Sequence, residues 1–284
     1  MINAALVLEG GSLRGLYTAG VLDVFIEKKI EFSCVIGVSA GAIVASNYIS
    51  KQKMRTAKIN ILHSGNQDYY GIYQLITKGN AFNFDYLFHD PINNMYPYDI
   101  NALSKTKQRL LICVTDCNSG KPVYLENKPD YETMVKYLWA SSSIPLLADM
   151  ISINGRKYLD GGISEPIGIK RAIKEKYKKI VVILTRDKEY NNLGFSATHP
   201  LLRIKYKDYP HLLATLNKTC SNYNSLKRLV DEMEENGDIF VIRPQKKVDF
   251  HLMEKNPRKL IELYFSGIED AEANLKQMLA YLGK

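Results

Sequence analysis

Three short stretches carry residues whose types and spacing suit one kind of chemistry, acyl transfer through a serine. In "VIGVSAGAIVAS" (residues 35–46), Gly37-Val38-Ser39-Ala40-Gly41 has the G-x-S-x-G spacing of a nucleophile elbow, a strained strand-to-helix turn that lifts the serine oxygen above a sheet edge. An apolar run precedes it and a small-residue helical run follows, which is the context the motif needs. At a helix N-terminus the dipole and the free N–H groups favour a developing alkoxide on Ser39. A small residue in a tight turn is the plainer reading of Ser39, and the flanks weigh against it.

The second stretch is "LEGGSLRGLYTAG" (8–20), a glycine-rich turn directly after the first apolar run. A dinucleotide fingerprint fails here, because Ser12 stands where its second glycine belongs in Gly10-Gly11-Ser12-Leu13-Arg14-Gly15. The alternative is an oxyanion hole, with N–H groups of Gly11 and Ser12 aimed at a tetrahedral oxyanion and Arg14 fixing the loop or adding charge. A tight turn and nothing more stays open. Ser39 also needs a base, and "YLDGGISEP" (158–166) offers Asp160, left uncrowded by Gly161 and Gly162. A carboxylate near its usual pKa of about 4 is a poor base for a hydroxyl, so burial would have to raise it. By itself an Asp-Gly-Gly turn is commonly only a turn. "ASSSIP" (140–145) sets Ser141, Ser142 and Ser143 before Pro145, which a polar helix exit explains without catalysis. The five histidines (His63, His89, His199, His211, His251) have no metal-ligand spacing, so no zinc or other metal is expected.

The elements that must position these groups follow from the pattern. "AALVLE" (4–9) and "FSCVIG" (32–37) are buried strands, each followed by a helical run, which implies parallel pairing through a right-handed crossover. "RLLICVTD" (109–116), "VYLE" (123–126), "KIVVILT" (179–185) and "DIFVIRP" (238–244) are further strands, and "ISINGRKYLD" (151–160) is a hairpin turned by Asn154-Gly155. Alternating helices and strands make an α/β fold with a mostly parallel sheet. No linker interrupts residues 1–284, so one domain is expected, with a helix-rich C-terminal extension from about Gly194. The aromatic segment 68–88 is equally suited to a flap over an acyl pocket and to core packing.

At 284 residues and 46% hydrophobic composition the chain can bury a large core. Its net charge of +8 comes from short basic groups interleaved with carboxylates, which argues against nucleic acid. A solvated helix face accounts for most of that charge, and a weak, salt-sensitive attraction to an anionic membrane surface for the remainder. The N-terminus lacks the features of a signal peptide, no apolar stretch reaches 18 residues, and four cysteines without framework spacing suit reduced thiols. A cytoplasmic protein, peripheral to membrane at most, is the expectation.

Together "EGGSLRG", "GVSAG", "WASSSIPLL" and "YLDGGISEP", in this order, resemble the patatin-like phospholipase family, especially its bacterial branch, from about Ala4 to Thr185. The resemblance implies a three-layer α/β/α sandwich, a Ser-Asp dyad without histidine, and hydrolysis of lipid or other acyl esters without a cofactor. Ser39 then matches the nucleophile, Asp160 the proton acceptor, and Gly10, Gly11, Ser12 and Arg14 the oxyanion loop. Gly37 and Gly41 frame the elbow, while Ser141, Ser142, Gly161 and Gly162 line the site. The family's usual third glycine is Ser12 here, so a positive φ at that position would distort the hole. Two rivals stand beside this reading: an α/β-hydrolase whose base is His199, His211 or His251, and a weakly active lipid-binding scaffold. Oligomeric state, chain length and headgroup preference have no signature in the sequence.

Overall fold

Strand β1 (Ile2–Leu8) sends Ala4, Leu6 and Leu8 into one hydrophobic core and Ala5 and Val7 into another. Both faces of the sheet are therefore covered, which is why this strand reads as a continuous apolar run. The computed structural model describes residues 1–89, 92–192, 200–247 and 249–284. After β1 come α1 (Gly15–Glu27), β2 (Phe32–Val38) and α2 (Ala40–Ile49). A helical insertion follows: α3 (Arg55–Leu62), α4 (Ile72–Lys78), α5 (Phe84–Phe88), α6 (Ile92–Met95) and α7 (Ile100–Lys105). The chain re-enters the sheet as β3 (Arg109–Asp116) and β4 (Pro122–Glu126), crosses in α8 (Tyr131–Ser141), and forms the hairpin of β5 (Ile151–Ile153) and β6 (Arg156–Asp160). It continues through α9 (Ile169–Lys174), β7 (Ile180–Ile183), α10 (Pro200–Lys205), α11 (Pro210–Leu216), α12 (Thr219–Glu235), β8 (Phe240–Ile242) and α13 (Pro257–Tyr281).

The strands form one sheet in the order β5-β6-β3-β2-β1-β7-β8, with β4 also paired to β3. From β3 to β8 every neighbour along this order is parallel, while β4, β5 and β6 make an antiparallel margin. Helices α1, α2, α8 and α13 and the insertion share the larger core; α9 and α12 pack on the opposite face. This is the expected three-layer α/β/α arrangement. The hairpin turn has φ of 48° at Asn154 and 76° at Gly155, the two positive values a type I′ turn requires.

The C-terminal region is built into this frame. Strand β8 extends the sheet beside β7, and α13 crosses α1 at close range. A Cβ at Gly20 would lie 2.1 Å from the Tyr264 carbonyl oxygen, and one at Gly267 would lie 2.1 Å from that of Tyr17. Two hydrogen bonds flank the crossing: Tyr17 donates to Asp270 at 2.8 Å and Tyr264 to Asp23 at 2.7 Å. The expected start of the extension, near Gly194, lies outside the described residues. Among the described residues, no helix is long and apolar enough to cross a membrane. Cys34, Cys113 and Cys117 are buried free thiols.

Candidate active site

Strand β2 ends at Val38 and α2 begins at Ala40, so Ser39 alone makes the turn, at φ 53° and ψ −125°. Such a backbone costs a residue with a side chain on the order of 1–3 kcal/mol and must be imposed by its surroundings. Gly37 and Gly41 allow that. A Cβ at Gly37 would sit 2.5 Å from Ala42 Cα, and one at Gly41 2.7 Å from the carbonyl oxygens of Leu8 and Glu9. The turn is also pinned from α8: Ser39 N–H donates to Ser141 Oγ at 3.0 Å, and Ser141 Oγ donates to the Cys113 carbonyl at 2.6 Å. Ser141 thus holds the elbow, a role beyond the lining position its sequence suggested. No local signal marks it, because its partners are 102 and 28 residues away.

Asp160, the last residue of β6, receives the Ser39 hydroxyl on Oδ2 at 2.7 Å. Its Oδ1 accepts the Gly162 N–H at 2.7 Å, its own N–H donates to Ser143 O at 2.9 Å, and its carbonyl accepts from Thr115 Oγ1 at 2.8 Å. Gly161 closes the same short turn, its carbonyl accepting from Glu165 N–H at 2.9 Å. Asp160 is buried, and burial pushes its carboxyl up to about 6, against the Ser39 hydroxyl and Gly162 N–H that favour the anion. It is a carboxylate made more basic than usual and already hydrogen-bonded to a serine.

The glycine loop lies against this pair, since a Cβ at Gly10 would come within 3.2 Å of Ser39 Cβ. Gly10 donates to Pro166 O at 3.4 Å and accepts from Thr185 Oγ1 at 3.2 Å; Arg14 Nη1 holds the Gly11 carbonyl at 3.3 Å. Burial and the neighbouring Arg186 press Arg14 down to about 10. Among the described residues, no acceptor pairs with the N–H groups of Gly11 or Ser12. Ser12 does adopt a positive φ, 52°, where glycine would be relaxed. Its hydroxyl donates to Leu252 O at 2.9 Å, tying the loop to the segment before α13. Beneath the loop sits a group that sequence reasoning missed. The buried Glu9 accepts Tyr223 Oη at 2.7 Å and Thr185 Oγ1 at 3.0 Å, and desolvation raises its pKa. A carboxylate between an apolar strand and two glycines was its signal in the sequence.

A cavity partly open to solvent adjoins Ser39 and Ser12. Tyr69, Phe82, Phe84 and Leu87 form one wall, so the aromatic segment does border the site. Ser142 lines it too, its hydroxyl buried without a partner among the described residues. No described histidine lines the cavity: His63 pairs with Tyr86, His89 with Asp85 and Glu132, His211 lies on α11, and His251 is exposed. His199 lies outside the described residues.

A family model described as patatin-like phospholipase matches residues 6–173, and one for a domain of unknown function, DUF6363, matches residues 209–283. The chain is 33% identical over 194 residues to the uncharacterized protein YjjU of Escherichia coli (strain K12), covering 64% of this chain and 51% of that protein. It is 28% identical over 197 residues to the probable lipid hydrolase 463L of Invertebrate iridescent virus 6, covering 61% and 64% respectively. The match therefore spans about half of the first relative and under two thirds of the second. Similarity to the uncharacterized protein YqhO of Bacillus subtilis (strain 168), at 23% identity, covers 95% of this chain and 97% of that one. The crystal structure of VipD from Legionella pneumophila superposes with a TM-score of 0.50 at 12% identity, over 98% of this chain and 67% of that one. At that identity the likeness concerns the fold alone.

Proposed function

This chain belongs to the patatin-like phospholipase family, and on that premise we propose that it is a serine acyl hydrolase working through a Ser39–Asp160 dyad. Ser39 Oγ attacks the ester carbonyl carbon while its proton passes to Asp160 Oδ2. The N–H groups of Gly11 and Ser12 hold the resulting oxyanion. Collapse of the tetrahedral intermediate breaks the acyl–oxygen bond, and Asp160 returns the proton to the departing alkoxide. Water then adds to the acyl-enzyme, giving a proton to Asp160, and release of the acid restores Ser39.

One observation carries this reading: the 2.7 Å bond from Ser39 to a buried carboxylate, which occupies the place of a histidine base. The substrate class is a lipid or other acyl ester, and no cofactor takes part. The protein acts in the cytoplasm as one catalytic domain with a C-terminal extension, touching anionic lipid surfaces transiently. Supporting that contact are the charge of +8 and two exposed apolar groups with basic neighbours. These are Ile72, Tyr73 and Ile76 with Lys78 on α4, and Leu201 and Ile204 with Arg203 and Lys205 on α10. The positive φ of Ser12 favours a second reading, a weakly active lipid binder. Fluorophosphonate labelling decides between them. The expected result is a single adduct on Ser39, with Ser39→Ala losing both the adduct and ester hydrolysis; labelling elsewhere or an active alanine variant refutes the dyad.

A further inference from the structure

The cavity changes character with distance from the nucleophile. Ser39, Ala40, Ile43, Val44 and Asn47 lie along one side of α2 and all line it, so it runs beside the helix. Asn47 is eight residues beyond Ser39, about 12 Å along the axis at the α-helical rise. Between them the walls are apolar, with Leu16, Ile43, Ile59 and Phe84. At the Asn47 end stand Arg55, Thr56 and Asn60.

Arg55 is 4% exposed, yet among the described residues no carboxylate lies within ion-pair distance of it. Its acceptors are neutral: Tyr96 O at 3.0 Å from Nε, Asn47 Oδ1 at 3.4 Å from Nη1, and Leu87 O at 3.5 Å from Nη2. A guanidinium has five N–H donors, so one on each Nη is left over, and two of the three bonds made are long. The rings of Phe88 and Tyr98, 5.7 and 5.4 Å from the guanidinium carbon, offset only part of the cost of burying a charge. Contrast Arg243, equally buried, which meets Asp231 and Glu234. Arg243 has its charge matched by two carboxylates, whereas Arg55, which borders the cavity, has only neutral acceptors among the described residues.

We propose that Arg55, with Asn47, Thr56 and Asn60, is a subsite for an anionic group on the substrate's acyl chain, making the preferred substrate an ester of an ω-carboxyacyl chain. This rests on the hydrolase reading above, with the acyl group lying along α2. A zigzag of bonds near 1.5 Å advances about 1.3 Å per bond, so about 12 Å corresponds to a chain of roughly eight to ten carbons. A headgroup phosphate, about five bonds from the ester carbonyl, reaches only about half that distance.

The test is a matched pair of substrates on the full-length protein: the mono-p-nitrophenyl ester of decanedioic acid, and p-nitrophenyl decanoate. A charge-assisted hydrogen bond inside the pocket should raise kcat/KM for the carboxylated ester about ten- to hundredfold. Arg55→Met should erase the preference while cleavage of the decanoate ester persists. The wild-type comparison requires no variant, should Arg55→Met fail to fold. Equal cleavage of the two esters, or preference for decanoate, overturns the subsite. Calorimetry on Ser39→Ala separates the two layers of inference. If neither ester is cleaved but decanedioate binds more tightly than decanoate, the subsite stands and the hydrolase reading falls; if decanedioate has no advantage, the subsite falls as well.

Discussion

A carboxylate that takes a proton from a serine is useful only while ionised, and Asp160 is held where that condition becomes a pH limit. With its carboxyl raised to about 6, kcat/KM should climb as pH rises through that value and level off above it. Stability should move the opposite way. Below pH about 4 the group is neutral both folded and unfolded; between about 4 and 6 only the folded state keeps the proton, so stability falls as pH rises through that window. Above it the full cost remains, on the order of 2–3 kcal/mol. Asp160→Asn should therefore cut turnover at least about a hundredfold yet raise Tm at pH 8, with the Tm gain shrinking toward pH 4. Unchanged or lower Tm at pH 8 would contradict a strained, buried anion. Ser12 makes a different trade. Its left-handed backbone costs about 1–2 kcal/mol, and its bond to Leu252 returns about 0.5–1.5 kcal/mol. Ser12→Ala keeps the strain and loses the bond, so urea melts should find it about 1 kcal/mol less stable than Ser12→Gly. The glycine variant should hold kcat within about tenfold, since loss of an oxyanion donor costs a hundredfold or more. Ser39, Asp160 and the loop were legible in the sequence because flanking glycines announce a constrained backbone. Ser141 and Arg55 were not, since their meaning lies in partners distant along the chain, and Glu9 showed only as a carboxylate set between an apolar run and two glycines.

At the scale of elements, strands were the most readable, because runs such as 109–116 are apolar on both faces and short. The Asn154-Gly155 hairpin was equally plain, its turn requiring residues that tolerate positive φ. Less readable was the insertion from α3 to α7, whose helices are brief and whose aromatic side chains divide between core and cavity. The crossing of α1 with α13 left no periodic signal either: a single glycine on each helix makes it, Gly20 and Gly267. With a carbonyl oxygen 2.1 Å from the added Cβ, Gly20→Ala must push the two helices apart. We expect it to lower stability by about 2–3 kcal/mol in urea melts, the upper part of the usual range for overpacking. A loss under 0.5 kcal/mol would mean that the helices slide freely past one another.

For the whole molecule, surface charge and exposed apolar side chains predict how it meets its substrate. Co-sedimentation with phosphatidylserine-containing vesicles should exceed that with neutral vesicles and fade at high salt, because each basic residue near an anionic surface contributes about 1 kcal/mol that salt screens. Ile76→Asp with Ile204→Asp should weaken it further; equal binding to both vesicle types would place the contact elsewhere.

The α1–α13 crossing also sets a schedule. Helix α1 is made long before α13, so the face of α1 that α13 covers stays bare until residues 257–281 follow. The carbonyl of Leu252 that steadies Ser12 is made nearly as late. A growing chain can thus form the β2–α2 turn early, yet it must carry one uncovered face of α1 until α13 is made. Synthesis of this protein should lean on chaperones, and a chain arrested before residue 252 would hold Ser39 in place while the glycine loop still lacks its tie from Ser12 to Leu252.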